Sequence, residues 1–208
     1  MDKRCYIVGA GEFAENELPM QGDYIIAADG GYTSLKKHGI EPDMVIGDFD
    51  SLDEVPDHSN ILQSPTEKDD TDMMLAVQHG LKLGYKIFVL NGGLGGRLDH
   101  TLANIQALTH IAEKGARGAL VGPNETVTVI VNDEITFDSN TSKGRLLSIF
   151  CAGDTAEGVT LKGLKYLLKN ATLTSALPQG CSNEFIGEPV TISVKNGTLI
   201  IVTQNYNS

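Results

Sequence analysis

The sequence predicts an α/β fold: an N-terminal, mostly parallel, Rossmann-like α/β domain over residues 1–122, then a small antiparallel β-sandwich over 123–208. Three observations carry this prediction. Short continuous apolar runs in the first half alternate with longer segments of helical period, as in a parallel sheet buried on both faces. After "VGPNET" (121–126) the apolar period changes to two, the mark of strands with one buried face. No internal repeat or low-complexity tract offers a different organisation.

The strands of the first half are read from "CYIVGA" (5–10), "YIIAA" (24–28), "MVIG" (44–47) and "KIFVL" (86–90). None has a polar side to give to water, so each needs cover above and below. A helix is expected from Asp72 to Leu83, with Met73, Met74, Val77 and Leu81 on one face and Thr71 as its cap. A second is expected from Arg97 to Glu113, facing inward with Leu98, Leu102, Ile105, Leu108 and Ala112. In the second half "TVTVIVN" (126–132) turns Val127, Val129 and Val131 to one side, and "LLSIFC" (146–151) does so with Leu147, Ile149 and Cys151. "TISVKNGTLIIV" (191–202) reads as a hairpin, because Asn196 and Gly197 suit the two positive-φ positions of a type I′ turn.

Composition narrows the function. A formal net charge of −11 argues against broad electrostatic attraction to nucleic acid or an anionic membrane. Positions 41 to 72 hold eleven Asp or Glu and one Lys, so a phosphorylated substrate would need a cation between itself and that surface. Cys5, Cys151 and Cys181 have neither disulfide nor zinc spacing, and the five-residue apolar run before Gly11 is too short for a signal peptide, so a cytoplasmic location is expected. No run reaches the 18 or so apolar residues of a spanning helix.

Ligands of open parallel sheets sit outside the carboxyl ends of the strands. There the sequence places Gly9 and Gly11, then Asp29, Gly30 and Gly31, then Asp48 and Asp50, then Asn91 through Arg97. Asp48 and Asp50, one residue apart, leave the same face of an extended chain and can share a divalent cation. Without one, two such charges about 4 Å apart cost on the order of 4 kcal/mol at an effective dielectric of about 20. A solvated turn with Asx-type hydrogen bonds is the alternative. "KDDTD" (68–72) adds carboxylates at a helix start, beyond what dipole and cap alone explain. "NGGLGGRLDH" (91–100) puts four glycines between a strand and a helix, where backbone N–H groups can approach phosphate oxygens and Arg97 can hold one, or simply coat the helix. "GAGEFA" (9–14) with Asp29 also fits a dinucleotide fingerprint, which would make the protein an NAD(P)-dependent oxidoreductase. Read by themselves, His100 is a first-turn helix residue and Tyr166 a packing residue with its hydroxyl in water.

Taken in order, "ADGG" (28–31), "PDMVIGDFDS" (42–51), "KDDTD" (68–72), "GGLGGRLDHTLAN" (92–104), "GLKYLL" (163–168) and "GCSNEF" (180–185) resemble thiamine pyrophosphokinase, over nearly the whole chain. The resemblance implies transfer of the pyrophosphoryl group of ATP to the hydroxyl of thiamine, giving thiamine diphosphate and AMP, with Mg²⁺. It implies a homodimer with active sites between subunits. Asp48, Asp50 and Asp72 match the family's catalytic, Mg²⁺-gathering acids, Asp72 nearest the thiamine hydroxyl. Asp29, Gly30, Gly31, Lys68, Gly92, Gly93, Gly95, Gly96, Arg97 and Asp99 correspond to nucleotide-contacting stretches. Ser182 and Asn183 match the thiamine-contacting pair, and Tyr166 stands where many members have Trp, so it would stack on the pyrimidine ring from the neighbouring subunit. A pterin-type alcohol would keep the same chemistry, and a silent ligand sensor would bind without releasing AMP.

Overall fold

Strands without a polar face are stable only between neighbours and under helices, and the first half folds accordingly. In the computed structural model the described residues are 3–48, 58–63, 70–139 and 143–205, and the chain divides into two units, Met1–Pro123 and Asn124–Ser208. The first unit runs β1 (Arg4–Val8), β2 (Tyr24–Ala28), α1 (Gly31–Lys37), β3 (Met44–Gly47), β4 (Ile61–Gln63), α2 (Asp72–Lys82), β5 (Ile87–Asn91), α3 (Leu98–Glu113) and β6 (Arg117–Val121). Its strands lie in the order β6-β5-β1-β2-β3-β4, each pair parallel. The chain first builds outward from β1 on one side and then returns to lay β5 on the other. The sheet direction therefore switches between β1 and β5, where doubly wound folds open a crevice.

Alternation along the strands feeds two cores. Tyr6, Val8, Ala27, Val45, Val89 and Val121 pack with Ala14 and Leu35. Cys5 and Phe88 point the other way, toward α2, where a side chain on Gly80 would come within 2.7 Å of both. Helix α3 differs from expectation. Its inward residues are Asn104, Ala107, Leu108 and Ile111, while Leu98 and Leu102 are 72% and 55% exposed. The inward stripe starts at a polar residue, because the Asn104 side chain donates to the Gly93 carbonyl at 2.9 Å.

The β1–β2 connection is not a helix: no residue from 9 to 23 is helical. The dinucleotide fingerprint needs a helix N-terminus directly behind the first strand, so the reading of "GAGEFA" is corrected. Asn91, fully buried, holds this connection in place: its Oδ1 accepts from the Ala14 N–H at 2.8 Å, and its Nδ2 donates to the Tyr6 hydroxyl at 2.8 Å and the Ala14 carbonyl at 3.0 Å. Arg4 clamps the far end, with Nη2 2.6 Å from Asp23 Oδ2 and Nη1 2.8 Å from Glu17 Oε1.

Burial alone would raise the Asp23 carboxyl, but the Arg4 guanidinium and the Met20 N–H outweigh it and hold it below its ordinary value of 3.8. A carboxyl depressed in the folded state contributes stability above its unfolded value and loses it as pH falls through the folded value. Asp23→Asn is therefore expected to cost about 3 kcal/mol at neutral pH, since it leaves Arg4 only 13% exposed with one partner fewer. The gap between variant and wild type should narrow below pH 3.8, a trend read by denaturant titration at stepped pH.

The second unit comprises β7 (Glu125–Val131), β8 (Glu134–Phe137), β9 (Leu146–Cys151), β10 (Thr155–Lys162), β11 (Leu168–Thr174), β12 (Gly180–Glu184), β13 (Val190–Ser193) and β14 (Thr198–Gln204). The strands form two antiparallel layers, β12-β9-β14-β7 and β11-β10-β13-β8. Leu147, Ile149 and Cys151 enter the core between them with Leu161, Phe185, Ile192, Leu199 and Ile201. From β7 it is Ile130 that joins this core; Val127 and Val129, also buried, belong to the opposite face of the strand.

The expected 191–202 hairpin is overturned. Strand β13 pairs with β8 and β10, whereas β14 pairs with β7 and β9, so the chain crosses from one layer to the other. Gly197 has φ +116, and Asn196 is not in the left-handed region a type I′ turn requires. The Asn196 backbone instead bridges to Glu157, whose N–H donates to the Asn196 carbonyl at 2.7 Å.

Candidate active site

A cavity of about 460 Å³ opens at the switch point of the first unit. Its walls come from the residues after β1, the end of β2, the start of α2 and the loop between β5 and α3. That volume lies in the range of small-molecule and cofactor sites.

One wall is two loops packed backbone to backbone. The Gly9 N–H donates to the Asn91 carbonyl and the Gly11 N–H to the Gly92 carbonyl, both at 2.8 Å. A side chain on Gly11 would lie 2.6 Å from that Gly92 oxygen, so only glycine permits the approach. Gly95 and Gly96 need glycine for another reason: their φ values are +77 and +65, and no atom lies within 4 Å of where a side chain would stand. The space beside both residues is open, which leaves room for a phosphate to approach the loop.

The opposite wall begins with α2. Thr71 Oγ1 accepts from the Met74 N–H at 3.2 Å, the expected cap, so Asp72 occupies the first helical position on the cavity wall. Asp29 lies there too. It adopts φ +49, its N–H donates to the Ile46 carbonyl at 2.8 Å, and its carbonyl accepts from Tyr32 at 3.2 Å. That bond ties the end of β2 to β3, immediately before Asp48, which is partly buried at the same sheet edge.

Of the residues named from the sequence, Asp29, Asp72, Gly92, Gly93, Gly95, Gly96 and Arg97 share this cavity. Asp50 and Lys68 fall outside the described residues. Gly30 and Gly31 do not line the cavity; a side chain on Gly31 would lie 1.9 Å from the Val8 carbonyl oxygen, so packing against β1 dictates that glycine. Asp99 is exposed and pairs with Arg97, Nη2 to Oδ2 at 2.6 Å; that hydrogen bond first, against slight desolvation, holds its carboxyl below the usual range. Ala10, Thr71, Met73, His100 and Asn104 also line the cavity, although their sequence context does not mark them as site residues. Asn104 closes the block "GGLGGRLDHTLAN", and its amide at an inward helix position is the signal that could have marked it.

Among the described residues no three His, Cys, Asp or Glu side chains close into a metal cage. Mg²⁺ is ordinarily held by one or two carboxylates with substrate phosphates and water, a donor type that Asp72 supplies on the wall; Asp48, directly after β3, does not line the cavity.

In the second unit Tyr166 is 61% exposed, with the Lys165 ammonium 5.8 Å from its ring centroid. Asn183 is buried, and Ser182 takes φ +58 with its N–H donated to Ser148 Oγ at 3.0 Å. Cys181 Sγ lies 3.7 Å from the hydroxyls of both Ser148 and Ser182, and those contacts lower its thiol pKa.

Fold and cavity together define a doubly wound α/β protein with a nucleotide-sized site at its switch point, followed by a β-sandwich. Residues 16–119 match the model of the thiamin pyrophosphokinase catalytic domain, and residues 132–199 that of the thiamin pyrophosphokinase vitamin B1 binding domain. A thiamine pyrophosphokinase of Bacillus subtilis is 31% identical over 183 residues, covering 85% of each chain. Thiamin pyrophosphokinase 1 of Caenorhabditis elegans is 27% identical and covers 82% of this chain and 74% of its own. The crystal structure of the Bacillus subtilis enzyme superimposes with a TM-score of 0.85 over 98% of this chain and 99% of that one, at 28% identity. The chain belongs to the thiamine pyrophosphokinase family and is an enzyme of that class. These relatives give no support to an oxidoreductase or to a pterin-type alcohol.

Proposed function

We propose that the first unit's cavity binds ATP with Mg²⁺ and that its pyrophosphoryl group passes there to the hydroxyl of thiamine, giving thiamine diphosphate and AMP. The observation that carries this reading is the meeting of Asp72, Asp29 and the Gly92–Arg97 loop around one nucleotide-sized cavity. Transfer of this kind asks mainly for alignment and charge neutralisation. Bound Mg²⁺ would supply the positive charge that lets a polyphosphate enter an acidic mouth, with Asp48, Asp72 and Asp50 as its holders. The Gly95 and Gly96 backbone receives phosphate oxygens, and Arg97 exchanges Asp99 for a phosphate. Asp72 orients the thiamine hydroxyl and accepts its proton late in transfer.

The second unit of the neighbouring subunit supplies the thiamine face through Tyr166 and Ser182; residues 132–199, which hold both, match a vitamin B1 binding domain. The assembly is a homodimer with each active site completed by the neighbouring subunit, and three free cysteines suit a reducing cytoplasm. Among the described residues no helix is long and apolar enough to cross a membrane.

Incubation with Mg-ATP and thiamine, followed by nucleotide separation, should yield AMP and thiamine diphosphate in equal amounts. Release of ADP, or no AMP at any Mg²⁺ concentration, would overturn the assignment. Asp48→Asn should shift the Mg²⁺ titration upward about tenfold or more while kcat recovers at high Mg²⁺; an unshifted titration would remove Asp48 from the metal site.

A further inference from the structure

Asn183 is 3% exposed, so its side chain presents almost nothing to a ligand. Three of its four hydrogen-bonding positions are used locally. Oδ1 accepts from the Tyr166 N–H at 2.9 Å and the Glu184 N–H at 2.9 Å, and Nδ2 donates to the Tyr166 carbonyl at 2.7 Å. One amide side chain thus grips both backbone groups of a single residue, and that residue carries the exposed aromatic ring. The neighbouring contacts reinforce the grip: Lys165 N–H donates to the Glu184 carbonyl at 3.0 Å, Lys165 Nζ pairs with Glu184 Oε2 at 2.7 Å, and Leu164 bridges to Phe185.

Tyr166 lies between β10 and β11, outside any strand, so its own ladder does not fix it. A ring on an unladdered segment stacks on a ligand only after its backbone is ordered, and ordering it in advance removes that cost from binding. We infer that Asn183 is a positioning residue for thiamine: it contributes to binding by holding the Tyr166 backbone, not by touching the vitamin.

This rests on the reading of Tyr166 as the stacking face, and a double-mutant cycle separates the two claims. Thiamine Kd is measured by calorimetry on the full-length protein with Mg-AMP present, alongside the KM for ATP. Tyr166→Ala should weaken thiamine binding roughly tenfold. Asn183→Ala should weaken it by several-fold in the wild-type background and by less than about twofold in the Tyr166→Ala background, with the KM for ATP unchanged in each. Should Asn183→Ala fail to fold, Asn183→Asp carries the same cycle, since it retains both accepted hydrogen bonds and replaces the donated one with a repulsion. If the Asn183 effect persists undiminished without the ring, or is absent when the ring is present, the positioning role is wrong while the stacking reading survives. If Tyr166→Ala alone leaves thiamine affinity unchanged, the stacking reading itself fails.

Discussion

Asp72→Asn is expected to lower kcat by roughly 10²- to 10⁴-fold at saturating Mg²⁺, ATP and thiamine, the range for loss of a positioned proton acceptor. Stability should hardly move. The residue sits at the first position of α2, whose cap is Thr71 and whose buried face is Met73, Ala76, Val77 and Gly80, all untouched. The substitution removes one negative charge from the helix N-terminus, a loss of about 0.3 to 1 kcal/mol. Steady-state kinetics beside a denaturation curve therefore separates chemistry from folding. Wild-type kcat at saturation would strip Asp72 of its role. If kcat falls but recovers with added Mg²⁺, the residue serves the metal alone, as is expected of Asp48.

How far the sequence could be read depended on whether a residue's job was local. Runs such as "KIFVL" have no polar side, so a parallel sheet under helices followed from them directly. The carboxyl edge of such a sheet is where ligands sit, and Asp29 and the Gly92–Arg97 loop both follow apolar runs, so their meeting at one edge is legible from local pattern. What failed depended on partners distant in the chain. "GAGEFA" has the spacing of a dinucleotide turn, but Asn91, nearly eighty residues on, staples Ala14 and leaves no helix there. The β13 and β14 alternation is identical for a hairpin and for a crossing between layers, and the ladder partners that decide it come from β7 to β10. Along α3 two stripes satisfy helical spacing, and the inward one was set by Asn104 bonding to Gly93.

The glycines make the same point, because identical residues in neighbouring motifs have opposite reasons to be there. Gly31→Ala should cost roughly 3 kcal/mol or more, among the larger penalties for a single methyl group. The added carbon would lie 1.9 Å from the Val8 oxygen and 2.6 Å from its carbon. Neither can retreat, since β1 is pinned by β2 on one side and β5 on the other. The loss should appear in thermal and denaturant midpoints whether or not nucleotide is present. Gly95→Ala meets no atom within 4 Å and incurs only left-handed strain at φ +77, about 1 to 2 kcal/mol. Its damage should fall instead on Mg-ATP affinity, because the new methyl stands at the cavity wall where backbone must approach phosphate. Measuring stability and ATP affinity for both variants tests the division: Gly31→Ala as stable as wild type would mean that α1 can slide away from β1, and Gly95→Ala with undiminished ATP affinity would mean that the phosphates lie elsewhere.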